Sequence, residues 1–470
     1  MFDSTPAWEL RERLLGREIS PVELVESCLA RIDALEPILH AFITVAPERA
    51  LADARAAEAA IRQGVAGPLC GLPVALKDEL WTEGIRSTAG SLLYEDFVPD
   101  RDGAVAERLR RAGAVVVGKT NMPEFCTFSR SVNRLVPESV NPWDARRTSG
   151  ASSGGSAAAV AAAIVPFALG SDGGGSIRIP SSLCGVVGLH PTPGRVPMRG
   201  SFSYSLLSSV GPIARDVRDA ALLLQTIAGP DPEDTSCLRD EPPDFLLGLD
   251  DGVRGMRLAL VLDFAHVQAR PEVIEAVVRG ARLLEAEGAV VDQPAARIPD
   301  VWDAWIAVRN GRPVYEDVPV PFTQSREFLA QLEDPAKREL FCDYNLNRVT
   351  TQAISRDEWA AGTRVRAAAC ARLDQLFESY AALITPTMSD VAPLIPDLFE
   401  SPYPNTYSGT DYTLFVNFTG TTAASYPCGT VDGLPVGLQV IARPGNEATV
   451  LRVCRALEQA QPWQTPPPPG

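Results

Sequence analysis

Two runs of small residues carry the groups best suited to acyl transfer. One is Ser149-Gly150-Ala151-Ser152-Ser153-Gly154-Gly155-Ser156. The other is Gly170-Ser171-Asp172-Gly173-Gly174-Gly175-Ser176-Ile177-Arg178. Glycine has no Cβ, so the backbone can approach a substrate closely, and successive N–H groups can converge on a developing oxyanion. The amides of Gly173, Gly174, Gly175 and Ser176 form the natural oxyanion hole of such a site. Read alone, the two loops serve equally well as tight turns between packed elements.

A serine nucleophile needs a base. Lys77 ends the apolar run Leu72-Pro73-Val74-Ala75-Leu76. Burial at a strand end disfavours the ammonium and makes a lysine a competent base. A neutral Lys77 would take the proton of Ser152, which would take that of Ser176. An ion pair between Lys77 and Asp78 explains the same residues as readily. Composition adds a clue. Of 43 basic residues only Lys77, Lys119 and Lys337 are lysine. Arginine keeps its proton at any working pH, whereas a buried lysine can lose it.

Three other chemistries fit less well. Gly113 to Thr120 matches the phosphate-loop pattern letter for letter, but its interior is Ala and Val, a strand rather than a turn into a helix. Lys119 is then structural. Gly150 to Gly154 matches the nucleophile elbow, which needs a preceding strand and a later histidine. The chain has only His40, His190 and His266. Those three and nine scattered cysteines supply no metal-ligand spacing, so neither a metal nor another cofactor is expected.

The elements that position these groups alternate. Ser20-Pro21-Val22-Glu23 is a capping box opening a helix to about Ala34, and a second helix spans 46–62. Strands are expected at 72–76, 114–117, 165–169, 257–262, 289–291 and 382–385. Helices fall at 104–111, 153–164, 271–287 and 364–380. The pattern specifies an α/β layer fold. A helix over 153–164 rises roughly 16 to 18 Å. A strand over 165–170 covers about 17 to 20 Å. If the strand runs back beside the helix, Ser176 returns close to Ser152.

The chain has 470 residues and a net charge of −16. That charge argues against direct binding to nucleic-acid phosphates or anionic membranes. The most apolar stretch, 157–170, is too short to span a bilayer. Unpaired cysteines and no export signal fit a cytoplasmic protein. Pro230 to Asp251 is the best internal linker candidate, and 464–470 reads as a disordered tail.

Several motifs in order resemble the amidase signature hydrolases. They are Gly71-Leu-Pro-Val-Ala-Leu-Lys77-Asp78, Gly118-Lys-Thr-Asn-Met-Pro-Glu-Phe125, the two serine runs, Cys184-Gly-Val-Val-Gly188 and Gly433-Leu-Pro-Val-Gly-Leu-Gln439. The resemblance spans nearly the whole chain and is densest over about 67–215. It implies a single α/β/α domain over 1–470 with a large mixed sheet. It also implies Ser176 as the acylated nucleophile, Ser152 as relay on a cis peptide and Lys77 as base. Asp172, Arg178 and Lys119 would support these groups from behind. Phe125, Cys126 and Ser153 would line the pocket. The chain departs from the family at His190, where lysine is usual, and at Gly173.

Specificity is expected in the less patterned region of about 300–420, rich in aromatic side chains. The reading favours small or aryl amides, anilides, carbamates or esters as substrate. It gives no nucleic-acid or membrane partner, and a monomer or homodimer. The rivals are the amidase subunit of a tRNA-dependent glutamine amidotransferase and a catalytically silent scaffold relative.

Overall fold

The computed structural model describes residues 4–202, 205–265, 267–310, 333–349, 354–395 and 412–463. Its centre is an 11-stranded mixed sheet. The strands in chain order are β1 (Phe42–Val45), β2 (Pro73–Lys77), β3 (Val115–Thr120), β4 (Phe167–Asp172), β5 (Val187–His190), β6 (Ser209–Ala214), β7 (Arg257–Leu260), β8 (Val290–Asp292), β9 (Ala382–Pro386), β10 (Thr422–Val431) and β11 (Leu434–Ala442). Across the sheet they run β1-β3-β2-β4-β6-β5-β10-β11-β9-β7-β8. The strands β3, β2 and β4 are mutually parallel, as are β9, β7 and β8. The strands between these groups pair antiparallel.

Alternation along each strand builds a core on each face. In β2, Val74 and Leu76 join one apolar cluster while Ala75 joins another. In β4, Phe167 and Leu169 face the first and Ala168 the second. Helices Val217–Ile227, Pro271–Ala286 and Glu447–Ala460 supply the first cluster. Helices Pro21–Leu39, Pro47–Gln63 and Gly154–Ala161 supply the second. The result is an α/β fold with helices on both faces of a large mixed sheet.

Local chemistry sets most boundaries. Ser20 caps the helix Pro21–Leu39 through a complete capping box with Glu23, and Pro21 opens it. The helix Arg356–Ser379 begins eight residues before the expected 364, at a second capping box, Ser355 with Glu358. Strand β3 extends through Lys119 and Thr120, so the phosphate-loop letters from Val115 on lie in a fully buried strand. The stretch 230–251 is not a free linker: Cys237, Phe245 and Leu249 are buried, and Asp234 accepts the Met198 N–H at 2.7 Å. The expected tail, His266 and the aromatic residues Tyr315, Phe322, Phe328, Tyr403 and Tyr407 lie outside the described residues.

Candidate active site

Strands β2 and β4 are parallel neighbours, so their C-terminal ends open at the same place, where α/β sheets present ligand sites. Lys77 ends β2 and Asp172 ends β4. The Lys77 side chain is fully buried. Its Nζ donates to Ser152 Oγ at 2.7 Å and to Ser171 Oγ at 2.9 Å. Glu79, also fully buried, brings Oε1 to 3.5 Å from the same nitrogen. The Asp78 carboxylate turns elsewhere and accepts from Thr88 N (2.9 Å), the Thr88 hydroxyl (2.5 Å) and Gly90 N (3.2 Å).

Ser152 sits just before the helix Gly154–Ala161, after a cis Ala151–Ser152 peptide bond. The helix and β4 run back alongside each other, and the Ser153 N–H donates to the Ser176 carbonyl at 3.1 Å. That bond brings the two serine loops together. Ser176 itself is only partly buried. Its hydroxyl makes no hydrogen bond among the described residues, and the Ser152 hydroxyl bonds only to Lys77. The Lys77–Ser152 link is therefore formed, while the Ser152–Ser176 link is not closed. Such contacts often tighten only when substrate is bound.

The glycine loop is held from below. Asp172 accepts from Arg178 Nε (2.9 Å) and Nη2 (3.0 Å), from Asn417 Nδ2 (2.9 Å) and from Gly175 N (2.7 Å). Arg178 also donates to Gln439 Oε1 at 2.7 Å, Asn417 Oδ1 at 2.6 Å and Thr413 O at 3.0 Å. A bidentate arginine with every donor engaged fixes the loop geometry. Burial pushes the Asp172 carboxyl up, but Arg178, His190 and Asn417 outweigh it and hold it well below the usual carboxylate range. The Gly175 amide is spent on Asp172, which leaves the amides of Gly173, Gly174 and Ser176 for an oxyanion. Gly175 has φ +129°, and a Cβ there would collide with the Thr413 hydroxyl, so only glycine fits.

His190 lies beneath this knot, fully buried, with Nδ1 2.7 Å from Ser209 Oγ and 3.8 Å from Asp172 Oδ1. Desolvation lowers its pKa to about 3, against an upward pull from Asp172. A depressed histidine contributes stability that is full above its ordinary value of 6.5 and is lost as pH falls toward 3. The unfolded chain takes up a proton that the folded one refuses. His190→Asn is therefore expected to show a smaller drop in Tm between neutral pH and pH about 5 than the parent chain. Equal drops in thermal melts would remove His190 from the acid response.

The remaining candidates surround the two loops. Phe125 and Cys126 both have positive φ, 50° and 60°, which is rare for such side chains. Phe125 is buried against Tyr94 and Phe341. Cys126 is partly exposed, with Sγ 4.0 Å from Ser171 Oγ. Ser153 is fully buried, its hydroxyl bonded to Ser171 N and O, so it braces the loops and does not face a pocket. Lys119 donates to the Leu80 carbonyl and, at 2.6 Å, to Ser87 Oγ. Desolvation lowers it to about 8, with Asp78 and Glu79 opposing. Trp305 is buried beside Gly174 and stacks on Trp302.

Three contributors were not singled out from sequence. Ser171 stands inside the quoted motif, one residue before Asp172. Glu79 stands two residues after Lys77. Asn417 carries no local motif at all.

The amidase family model matches residues 23–451. This chain belongs to the amidase family. It is similar to a subunit of the glutamyl-tRNA(Gln) amidotransferase of Geobacter metallireducens, with 39% identity over 99% of both chains. The protein of the same name from Chloroflexus aurantiacus is 39% identical over 97% of this chain and 96% of its own. Among solved structures, the protein of that name from Thermotoga maritima aligns with TM-score 0.77, 30% identity and 100% and 98% coverage. A bacterial aryl acylamidase of the amidase signature family aligns with TM-score 0.84, 28% identity and 98% and 96% coverage. The amidase family is one of amide-bond-cleaving enzymes, and this chain is one of them.

These relatives correct two expectations. A hydrolase for small or aryl amides, anilides, carbamates or esters gives way to the alternative of an amidotransferase component. The expectation of no nucleic-acid partner, and of a monomer or homodimer, falls with it. The physical reason is that net charge sums the whole surface. It says nothing about one local face, or about a partner protein that carries the contact. Among the described residues no helix is long and apolar enough to cross a membrane.

Proposed function

We propose that this chain is the amide-cleaving component of a glutamyl-tRNA(Gln) amidotransferase. In this reading it removes ammonia from the side-chain amide of glutamine for a partner that acts on the tRNA. The observation that carries the proposal is the end-to-end similarity to a component of that enzyme, 39% over 99% of the chain.

The geometry supports a stepwise mechanism within one domain. The unprotonated Lys77 amine takes the Ser152 proton, Ser152 takes the Ser176 proton, and Ser176 Oγ attacks the carboxamide carbon. The Gly173, Gly174 and Ser176 amides stabilise the oxyanion. The tetrahedral adduct collapses, the C–N bond breaks, and the proton returns through Ser152 to the departing nitrogen as ammonia. Water then cleaves the acyl-enzyme by the same route in reverse. Asp172 and Arg178 hold the loop.

The test is ammonia release from glutamine, measured for the chain alone and after reconstitution with its partner proteins and glutamyl-tRNA. Glutamine-dependent conversion of glutamyl-tRNA to glutaminyl-tRNA in the complex is expected. A complex that assembles but leaves glutamine intact would exclude the proposal.

A further inference from the structure

Four ionisable side chains, Lys77, Asp78, Glu79 and Lys119, are fully buried together around the end of β2. Two of the three lysines in the chain therefore sit in this one cluster, whereas Lys337 is exposed. Asp78 takes its three bonds, from Thr88 and Gly90, on Oδ2, and its Oδ1 has no hydrogen bond among the described residues. Lys119 is satisfied by Leu80 and Ser87. Glu79 is different. Its Oε2 accepts from Ser201 Oγ at 3.3 Å, but its Oε1 has no hydrogen-bond partner among the described residues and points to within 3.5 Å of Lys77 Nζ. A buried carboxylate oxygen left without a hydrogen bond is costly, unless a positive charge appears beside it.

The mechanism proposed above makes such a charge. When Lys77 accepts the serine proton it becomes an ammonium, and Glu79 is the carboxylate that faces it. We infer that Glu79 is a positioning residue for the base: it stabilises the Lys77 ammonium formed during acyl transfer. The other groups facing the amine, Ser152 and Ser171, are neutral hydroxyls. Lys119 lies in the electrostatic reach of both Asp78 and Glu79, so Glu79 also faces that second cation. The inference rests on the assignment of Lys77 as base.

The consequence has a definite sign. A neighbouring carboxylate favours the protonated amine, so it makes the base stronger and delays its availability as pH rises. Glu79→Gln keeps the shape and removes the charge. The base then loses its proton at lower pH and is weaker once free.

The experiment is the rate at which a fluorophosphonate phosphonylates Ser176, with loss of fluoride, followed across the acidic to alkaline range in the full chain. Thermal melts confirm that each variant is folded. In Glu79→Gln the acidic limb is expected to move down by about one pH unit and the plateau to fall about tenfold. Glu79→Asp keeps a charge in the pocket, and its limb is expected to stay near that of the parent chain. A plain structural defect would lower the plateau and leave the limb in place. A limb that does not move in Glu79→Gln, yet vanishes in Lys77→Ala, would overturn the role of Glu79 and leave Lys77 as base. A limb that persists at the same pH in Lys77→Ala would overturn the base itself, and the inference with it.

Discussion

Ser176→Ala is expected to reduce amide cleavage by about 10,000-fold or more while leaving Tm within about 2 °C of the parent chain. In the proposed mechanism the oxygen lost is the attacking atom, and neither neighbouring group replaces it. Ser152 sits behind it and is fully buried, with its hydroxyl tied to Lys77 at 2.7 Å. Cys126 faces Ser171 across 4.0 Å rather than the glycine loop. Stability is expected to survive because the Ser176 hydroxyl makes no hydrogen bond among the described residues. The loop is held instead by the backbone bond from Ser153 to Ser176 and by the Asp172–Arg178 knot. Turnover assays and thermal melts on the same preparation check both halves.

The second large effect is at Lys77. Lys77→Arg is expected to lower turnover by about 10,000-fold, comparable to loss of the nucleophile, because residues acting as a unit fail together. Arginine retains positive charge, so a structural ion pair with Glu79 would survive the change. A base would not, since the guanidinium holds its proton at any working pH. The pocket is also tight, with Ser152, Ser171 and Glu79 all within 3.5 Å of Nζ. Thermal melts distinguish lost basicity from lost packing. Near-parental turnover in a folded Lys77→Arg chain would show that Lys77 only balances charge.

The local features of the fold were legible in the sequence. The capping box at Ser20, the apolar run ending at Lys77 and the small-residue helix after Ser153 each follow from nearest-neighbour chemistry. The return of Ser176 toward Ser152 followed from matched lengths of helix and strand. Long-range pairings were not legible. Arg178 meets Gln439 across 261 positions and Asn417 across 239. Gln439 is there because β11 inserts into the middle of the sheet, and Asn417 because the helix Leu414–Thr419 leads into β10 beside it, which no local pattern specifies. Lys77 meets Ser171 because β4 chose β2 as its neighbour.

The start of the helix at Arg356 was hidden for a different reason. Its first turns, with Trp359 and Gly362, carry a mixed pattern, and the capping box at Ser355 was the decisive cue. Substrate was least legible of all. In the proposed mechanism the serines and the lysine define how an amide is cleaved, whereas the choice of amide depends on surfaces and partners that motif spacing does not encode. The aromatic residues of the region expected to set specificity show this. Phe341 packs on Phe125, Tyr344 stacks on Phe128 at 4.5 Å, and Tyr412 packs on Phe264. Each has a partner within the protein.

Whether a lysine amine drives one hydroxyl through another is read most directly from which residue a fluorophosphonate modifies, and how fast. Peptide mapping is expected to place the adduct on Ser176 in the parent chain, with labelling nearly absent in folded Lys77→Arg and Ser152→Ala chains. An adduct on any other residue, or labelling of the Lys77→Arg chain at the parental rate, would contradict the account.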